Sequence, residues 1–192
     1  MVRGGLDYEK ASASYCLLEI SGIPHGLNAD LLRYEGMVPA HFKGMAFGNA
    51  NRWQGPFDKT GTESPFSPLA IWRLWDDFGI AKSVMYGWWT ERERGNGTVP
   101  VTARPISAGV QVTSFVRKGR GVLLCLASFV GHDANVTLAI DWTALGLPPG
   151  SALRAPALQP MQVERHFAAA APIPIAAGQG MLLLVGDKTV SI

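Results

Sequence analysis

Apolar and polar residues follow two different patterns along the chain, and the change lies near residues 96–105. Before it, apolar residues recur three and four positions apart over 69–78, next to short apolar runs. After it, apolar and polar residues alternate over 109–117, and turns rich in glycine and proline separate further short segments. The pattern therefore predicts a fold that is α/β in its first half and all-β in its second half.

Residues 67–89 carry the clearest local signals. Ser67 is a favourable N-cap, Pro68 suits the first helical turn, and Gly79 can end the helix in the left-handed conformation. The predicted buried stripe of this helix consists of Leu69, Trp72, Phe78 and either Leu74 or Trp75. Residues 84–89 are then predicted to form a strand, the last of the first half. Earlier in the chain, the pattern favours a helix over 26–34 and a strand over 44–47.

The second half is predicted to be an antiparallel β-sandwich. Strands are expected at 109–117, 122–130, 136–140, 152–158, 161–167, 172–175 and 180–185. The glycine-bearing segment 118–121 is expected to close a hairpin. The last two strands are also expected to pair as a hairpin, and a short helical turn is expected after Asp141.

Composition is typical of a globular protein and excludes several classes of partner. With 47% hydrophobic and 17% charged residues, the 192-residue chain can bury a substantial core. A net charge of +2 with scattered basic residues gives no support for nucleic-acid binding. No apolar run reaches the roughly 18 residues needed to span a membrane. The four histidines lack metal-ligand spacing, so no metal site is expected. No other cofactor is expected either. The two cysteines, Cys16 and Cys125, lie in separate apolar runs and are expected to stay reduced.

Polar and aromatic residues that follow predicted strands of the first half form the candidate site. In α/β folds, binding groups collect in the loops at the carboxyl ends of strands. The candidate substrate-binding residues are Asp7, Asn51, Arg52, Trp88 and Trp89. A tryptophan face can stack on a pyranose ring, and amide or guanidinium groups can bind its hydroxyls. Since neighbours on a strand point to opposite faces, one of the two tryptophans is expected to face a ligand. The alternative is that both belong to the core or to a domain interface.

The residues alone assign no catalytic group. Glycoside hydrolysis needs a carboxylic acid and a second carboxylate across the scissile bond, and spacing does not select among Asp7, Glu9 and Glu19. Asp76 and Asp77 are expected on a solvated helix surface. The chain has no GxSxG elbow, phosphate loop or dinucleotide fingerprint, which argues against the common hydrolase, kinase and dehydrogenase classes.

Several blocks of the sequence occur together in a characteristic order. They are YCLLEISGIPHGLNADLL at 15–32, FKGMAFGNANRW at 42–53, PLAIWRLWDDFGIAKSVMYGWW at 68–89, VLLCLASF at 122–129 and LAIDWTALGL at 138–147. In this order they resemble the C-terminal part of large bacterial proteins similar to glycoside hydrolase family 123. The resemblance covers nearly the whole chain and is strongest over 15–89.

This resemblance implies a partial (β/α)8 barrel in residues 1–95, followed by a C-terminal antiparallel β-sandwich in residues 106–192. Enzymes of family 123 remove N-acetylgalactosamine with an adjacent Asp-Glu pair and the substrate's own acetamido group. The chain contains no Asp-Glu dipeptide, so no catalytic residue is carried over from the family. The expected partners are a carbohydrate ligand, such as an N-acetylhexosaminide, and the missing N-terminal part of the parent chain.

The chain is therefore expected to be a fragment of a glycoside-hydrolase-like protein, inactive on its own. Two alternatives stay open. The first is a non-catalytic carbohydrate-binding module, in which Trp53 or Trp88 stacks on a sugar. The second is a structural sandwich that supports a barrel, with the aromatic residues at the interface between the two.

Overall fold

The described structure consists of short helices and a larger number of strands. In this computed structural model, residues 31–32, 38–48, 52–53, 69–89, 99–159 and 161–186 are described. The helices are α1 Val38–Ala46, α2 Leu69–Phe78 and α3 Trp142–Leu145. The strands are β1 Leu31–Leu32, β2 Arg52–Trp53, β3 Val84–Tyr86, β4 Val101–Arg104, β5 Val110–Arg117, β6 Gly121–Ser128, β7 Ala134–Ile140, β8 Leu153–Ala155, β9 Arg165–Phe167, β10 Ile173–Ile175 and β11 Gly180–Val185.

Two antiparallel sheets form a β-sandwich. The large sheet has six strands in the order β3-β5-β6-β11-β8-β9, and the small sheet has three in the order β10-β7-β4. Alternate residues of each strand fill the space between the sheets, among them Val112 of β5, Leu124 of β6 and Val136 of β7. The predicted antiparallel sandwich is therefore confirmed, and its core lies where the period-two pattern indicates.

The large sheet is buried on its outer face as well. The residues that point away from the small sheet pack against α1 and α2 and form a second cluster, the helix–sheet core. This core consists of Phe42, Met45, Ala46, Ile71, Leu74, Phe78, Phe115, Leu123, Cys125, Ala127, Leu158, Leu182 and Leu184. Burial on both faces explains why every residue of β6 is buried, with no polar alternation. The fold thus has three layers: helices, large sheet and small sheet.

Two side chains of β5 hold the carboxyl ends of the two helices. The Thr113 hydroxyl donates a hydrogen bond to the carbonyl oxygen of Ala46, at the end of α1. The Arg117 guanidinium donates to the carbonyl oxygen of Phe78, at the end of α2. The last carbonyls of a helix lack partners within the helix, and a cation there also interacts favourably with the helix dipole. Since positions 113 and 117 share one face of β5, a single strand fixes both helices.

The hydroxyl of Thr113 should contribute measurably to stability, and its neighbour provides the control. Thr113→Val keeps the shape of the side chain but removes the donor to a buried carbonyl, so we expect a loss of about 1–3 kcal/mol in the free energy of unfolding. Ser114 is fully buried on the opposite face, and its hydroxyl has no hydrogen-bond partner among the described residues. Ser114→Ala should therefore cost nothing. Urea unfolding measures both variants, and equal losses would contradict the assignment.

The helix predicted after Pro68 is confirmed as α2, and its end is the predicted one. Gly79 adopts the left-handed conformation with φ 71° and ψ 51°. Ile71, Leu74 and Phe78 are completely buried, whereas Trp72 is only half-buried. The stripe thus follows Ile71 and Leu74 instead of Trp72. As expected, the two aspartates of the last turn are exposed.

Three predictions about strands are wrong. Residues 44–47 lie in or directly after α1 and do not form a strand, because a short run of small and apolar residues fits either structure. The strand predicted over 84–89 already ends at Tyr86. The last two strands do not form a hairpin: β10 pairs with β7, while β11 pairs with β6 and β8. The segment between them crosses from one sheet to the other, and local sequence does not specify that choice.

No partial (β/α)8 barrel is visible among the residues that are described. β3, predicted as the last barrel strand, is instead an edge strand of the large sheet, antiparallel to β5. A three-residue apolar strand fits either kind of sheet, so the pattern does not distinguish them. The division of the chain into domains at 1–95 and 106–192 stays a prediction. β4 lies between the two ranges. α2 and β3 lie before residue 95 but pack with the sandwich. Of the other predictions, the cap residues Ser67 and Pro68 lie outside the described residues, and the segment predicted as helix over 26–34 contains β1.

Candidate functional site

An aromatic cluster lies where α1 and β3 end. It consists of Phe47, Trp88, Trp89 and Phe129. The centroids of Trp88 and Trp89 are 5.9 Å apart in an edge-to-face arrangement, and both rings also contact Phe47, at 5.5 and 6.0 Å. Phe129 completes the cluster at 6.2 Å from Trp88. These are favourable distances for aromatic pairs, so the four rings stabilise one another.

The two adjacent tryptophans enter the same cluster because the strand ends before them. β3 ends at Tyr86, and the chain turns through Trp88 and Trp89. A side chain at Gly87 would come within 2.3 Å of the Trp89 ring, so glycine is needed for this close approach. The expectation that the tryptophans point to opposite faces is therefore wrong, because it assumes that the strand continues to Trp89.

The two tryptophans differ in how far they are covered. Trp89 is 7% exposed and stacks on Phe47 with an angle of 17° between the ring planes. Its ring face is used in packing, as the alternative of a core residue predicts. Trp88 is half-buried, although its indole Nε1 is buried. Sugar contacts by either residue stay a prediction.

The other candidate residues are not assembled into a site by the described structure. Arg52 lies in β2, where it pairs with Leu31 of the parallel strand β1. Arg52 therefore follows the helix α1 and not the strand that was predicted over 44–47. Asp7 and Asn51 lie outside the described residues. That these five residues together form one substrate-binding site therefore stays a prediction.

Two ionisable side chains, one in α1 and one in β6, are buried. Lys43 of α1 is 8% exposed, and its Nζ lies 5.6 Å from the centroid of Phe129, within reach of a cation–π interaction. Cys125 is a free thiol whose Sγ is 3.4 Å from the carbonyl oxygen of Phe42. Burial raises the pKa of the Cys125 thiol, so this residue stays protonated and is not a nucleophile.

One comparison with known proteins identifies the family. The family model described as "Glycoside hydrolase 123, C-terminal domain" matches residues 67–186. The chain belongs to this family. No curated protein and no solved structure matches it. The resemblance to glycoside hydrolase family 123 is therefore confirmed, and the protein is related to glycoside hydrolases.

The region that matches the glycoside hydrolase 123 C-terminal domain begins before residue 106, where the sandwich domain is predicted to start. The matched range contains α2 and β3 as well as β4 to β11. This agrees with the packing, since α2 contributes Ile71, Leu74 and Phe78 to the helix–sheet core and β3 extends the large sheet. α2 and β3 are therefore parts of the family domain.

The family domain carries a cleft that the sequence does not reveal. The cleft lies between the two sheets, and Asp133, Asn135 and Arg165 line it together with apolar residues. A neighbouring depression on the small sheet is lined by Arg104, Asn135 and Thr137, among others. The alternation in β7 indicates that Asn135 and Thr137 point outward, but only the tertiary structure brings Arg165 of β9 near them.

Neither a metal-binding cluster nor a membrane-spanning helix occurs among the described residues. No group of three or more histidine, cysteine, aspartate or glutamate side chains there could hold a metal ion. None of the helices in that part is long and apolar enough to cross a membrane.

Proposed function

We propose that the chain is the C-terminal part of a glycoside-hydrolase-related protein that acts on carbohydrate, with N-acetylhexosaminides as the substrate class. The family match over residues 67–186 is the observation that carries this proposal. In this proposal the sandwich supports a (β/α)8 barrel, and the hydrolytic carboxylates belong to the barrel.

The position of α1 is evidence that the sandwich packs against a barrel. α1 lies in sequence between β1 and β2, which pair in parallel, and strand–helix–strand units of this kind build (β/α)8 barrels. The same helix buries Phe42 and Met45 against the large sheet. In this proposal, β1, α1 and β2 belong to the barrel, so the packing of α1 on the sandwich would join the two parts.

The exposure of the carboxylates also supports the proposal that the hydrolytic groups belong to the barrel and not to the sandwich. A glycosidase acid needs an environment that raises its pKa, and a second carboxylate must lie across the bond. In the described part, every carboxylate side chain is exposed: Asp76, Asp77, Asp133, Asp141 and Glu164. The sequence has no Asp-Glu dipeptide anywhere. We therefore propose that this chain does not hydrolyse glycosides on its own.

Asp7, Asn51, Arg52 and Trp88 remain the proposed contacts to the sugar in the assembled protein. Trp88 is the less buried of the two tryptophans, which favours it for stacking, while Trp89 packs against it edge to face. A non-catalytic carbohydrate-binding role is the second candidate, and the same half-buried ring of Trp88 favours it. Glycan binding without turnover in the full-length parent would favour this second candidate.

An assay on the purified chain tests the proposed lack of activity. We expect no release of 4-nitrophenol from the 4-nitrophenyl glycosides of N-acetylgalactosamine or N-acetylglucosamine, compared with a heat-denatured sample. Release in proportion to the amount of native chain would contradict the proposal, because it would require a carboxylate pair in these 192 residues.

The DNA on the 5′ side of the Met1 codon tests the proposed parent protein. We expect the reading frame to continue upstream and to encode further strand–helix units with an adjacent Asp-Glu pair at a strand end. An in-frame stop codon directly before Met1 would contradict the proposal.

A further inference from the structure

A groove made of two adjoining depressions, one between the sheets and one on the small sheet, has the features of a binding site. Its first part is the cleft between the sheets, about 440 Å³ in volume, with Asp133, Asn135 and Arg165 among its lining residues. Its second part is the depression on the small sheet, about 570 Å³, lined by residues such as Arg104 and Thr137. Asn135 lines both parts, so the two depressions adjoin at this residue, and together they are called the groove.

The strand register places Arg104, Asn135 and Thr137 on the outer surface of the small sheet, whereas Arg165 belongs to β9 of the large sheet. Arg104 of β4 is opposite Thr137 of β7, and Asn135 is opposite Pro174 of β10. Val136, between the two polar residues of β7, points inward and is 1% exposed. The outward positions therefore take no part in the core. From residue 133 to residue 137, β7 and its entry extend roughly 14 Å, enough for more than one pyranose ring.

The charges in the groove favour an anionic ligand. Arg104 and Arg165 are both exposed, and within the described structure neither forms an ion pair. One carboxylate, Asp133, lines the cleft with Arg165, and its Oδ1 already accepts the backbone N–H of Ala177 at 2.8 Å. Each guanidinium presents a fixed set of donors that fits a carboxylate in a bidentate manner. The groove therefore carries excess positive charge.

The remaining lining residues fit a sugar chain. Asn135 and Thr137 offer amide and hydroxyl groups to ligand hydroxyls. Pro174 in the first part, and Ile106 with Pro172 in the second, provide exposed apolar surface against which the C–H face of a pyranose can pack. A site of this composition suits a ligand with many hydroxyls, apolar ring faces and a negative charge.

We propose that this groove binds an acidic oligosaccharide, a glycan that carries carboxylate groups, with Asn135 at the middle of the site. Arg104 and Arg165 bind the carboxylates at the two ends. The choice of a carbohydrate rests on the proposed function, whereas the choice of an acidic one rests on the charges of the groove. The site contains none of the residues of the aromatic cluster.

Isothermal titration calorimetry with the full chain tests the proposal. The probes are an oligogalacturonate and a neutral galacto-oligosaccharide of equal length. We expect the acidic probe to bind more tightly, and each of Arg104→Gln, Arg165→Gln and Asn135→Ala to weaken it about three- to tenfold. The matched control is Arg120→Gln, which removes an exposed arginine from the turn between β5 and β6, away from the groove, and should leave the affinity unchanged. Urea midpoints of the same samples confirm that each variant is folded.

Four results would overturn the proposal: no binding of the acidic probe, equal binding of the neutral probe, an equal loss in the Arg120 control, or equal binding of polyglutamate. None of them bears on the 4-nitrophenyl assay or on the upstream DNA. Failure of the groove would therefore leave the proposed parent protein standing. Conversely, a stop codon before Met1 would not remove measured binding to the groove.

Discussion

Replacement of Trp89 by alanine should lower the free energy of unfolding by about 3–5 kcal/mol and leave glycan binding unchanged. The indole is 7% exposed and contacts Phe47 and Trp88, so its removal leaves a cavity in the aromatic cluster. Trp88→Ala should cost less, because that ring is only half-buried. Urea unfolding followed by far-UV circular dichroism measures both variants without relying on tryptophan fluorescence.

The same pair of variants separates the structural role from the sugar-binding role. Binding of N-acetylhexosaminide oligosaccharides is measured for the wild type and for each variant. Trp142→Ala, a half-buried residue of α3 on the side of the sandwich core, serves as a control outside the aromatic cluster. If Trp89→Ala were as stable as the wild type and lost affinity for these sugars, the packing role would be refuted.

Replacement of Phe78 by alanine is the second change with a large expected effect, again about 3–5 kcal/mol. Phe78 is completely buried in the helix–sheet core. Its ring lies 5.9 Å from the Arg117 guanidinium carbon, and its carbonyl oxygen accepts the hydrogen bond from Arg117. The substitution should therefore remove the main apolar contact of the end of α2 and loosen the helix from the sheet.

A neighbour on the same helix gives the matched control for Phe78. Asp77 is exposed, so Asp77→Ala should change the free energy of unfolding by no more than about 0.5 kcal/mol in either direction. Guanidinium chloride unfolding measures both variants. A loss below about 1 kcal/mol for Phe78→Ala would contradict the expected loss and would mean that α2 contributes little to the stability of the domain.

The sequence was sufficient to predict the faces of the long strands. Alternation over 109–117 assigns Val112 to one face of β5, and the glycine-bearing turn after it sets the hairpin with β6. The helix α2 was also predictable, since its apolar spacing and the left-handed Gly79 are local features. In both cases, neighbours within a few residues determine the structure.

The pairing of distant segments was not predictable in the same way. Period-two patterning shows which side chains point to a core but not which strand lies alongside, so β3 and β10 were assigned to the wrong neighbours. The contact between Arg117 and Phe78 joins residues 39 positions apart, and no local signal marks it. The groove could not be predicted from local sequence either, because Arg104 and Arg165 lie in strands of different sheets.

The position of α2 and β3 changes the interpretation of the first half of the chain. Together with α1, they form a helical layer and an added edge strand on the sandwich. In the proposed parent protein, this layer lies between barrel and sandwich, where a rigid contact holds the two parts in a fixed orientation.

The central claim is that residues 69–89 unfold together with the sandwich and not as part of a separate unit. Native-state hydrogen exchange at increasing urea concentration tests it directly, because each amide reports the free energy of the opening that exposes it. We predict that the most protected amides of α2 and β3 converge on the same global opening as those of β6. Exchange of α2 and β3 at a much lower free energy, through an opening that leaves β6 protected, would contradict the account.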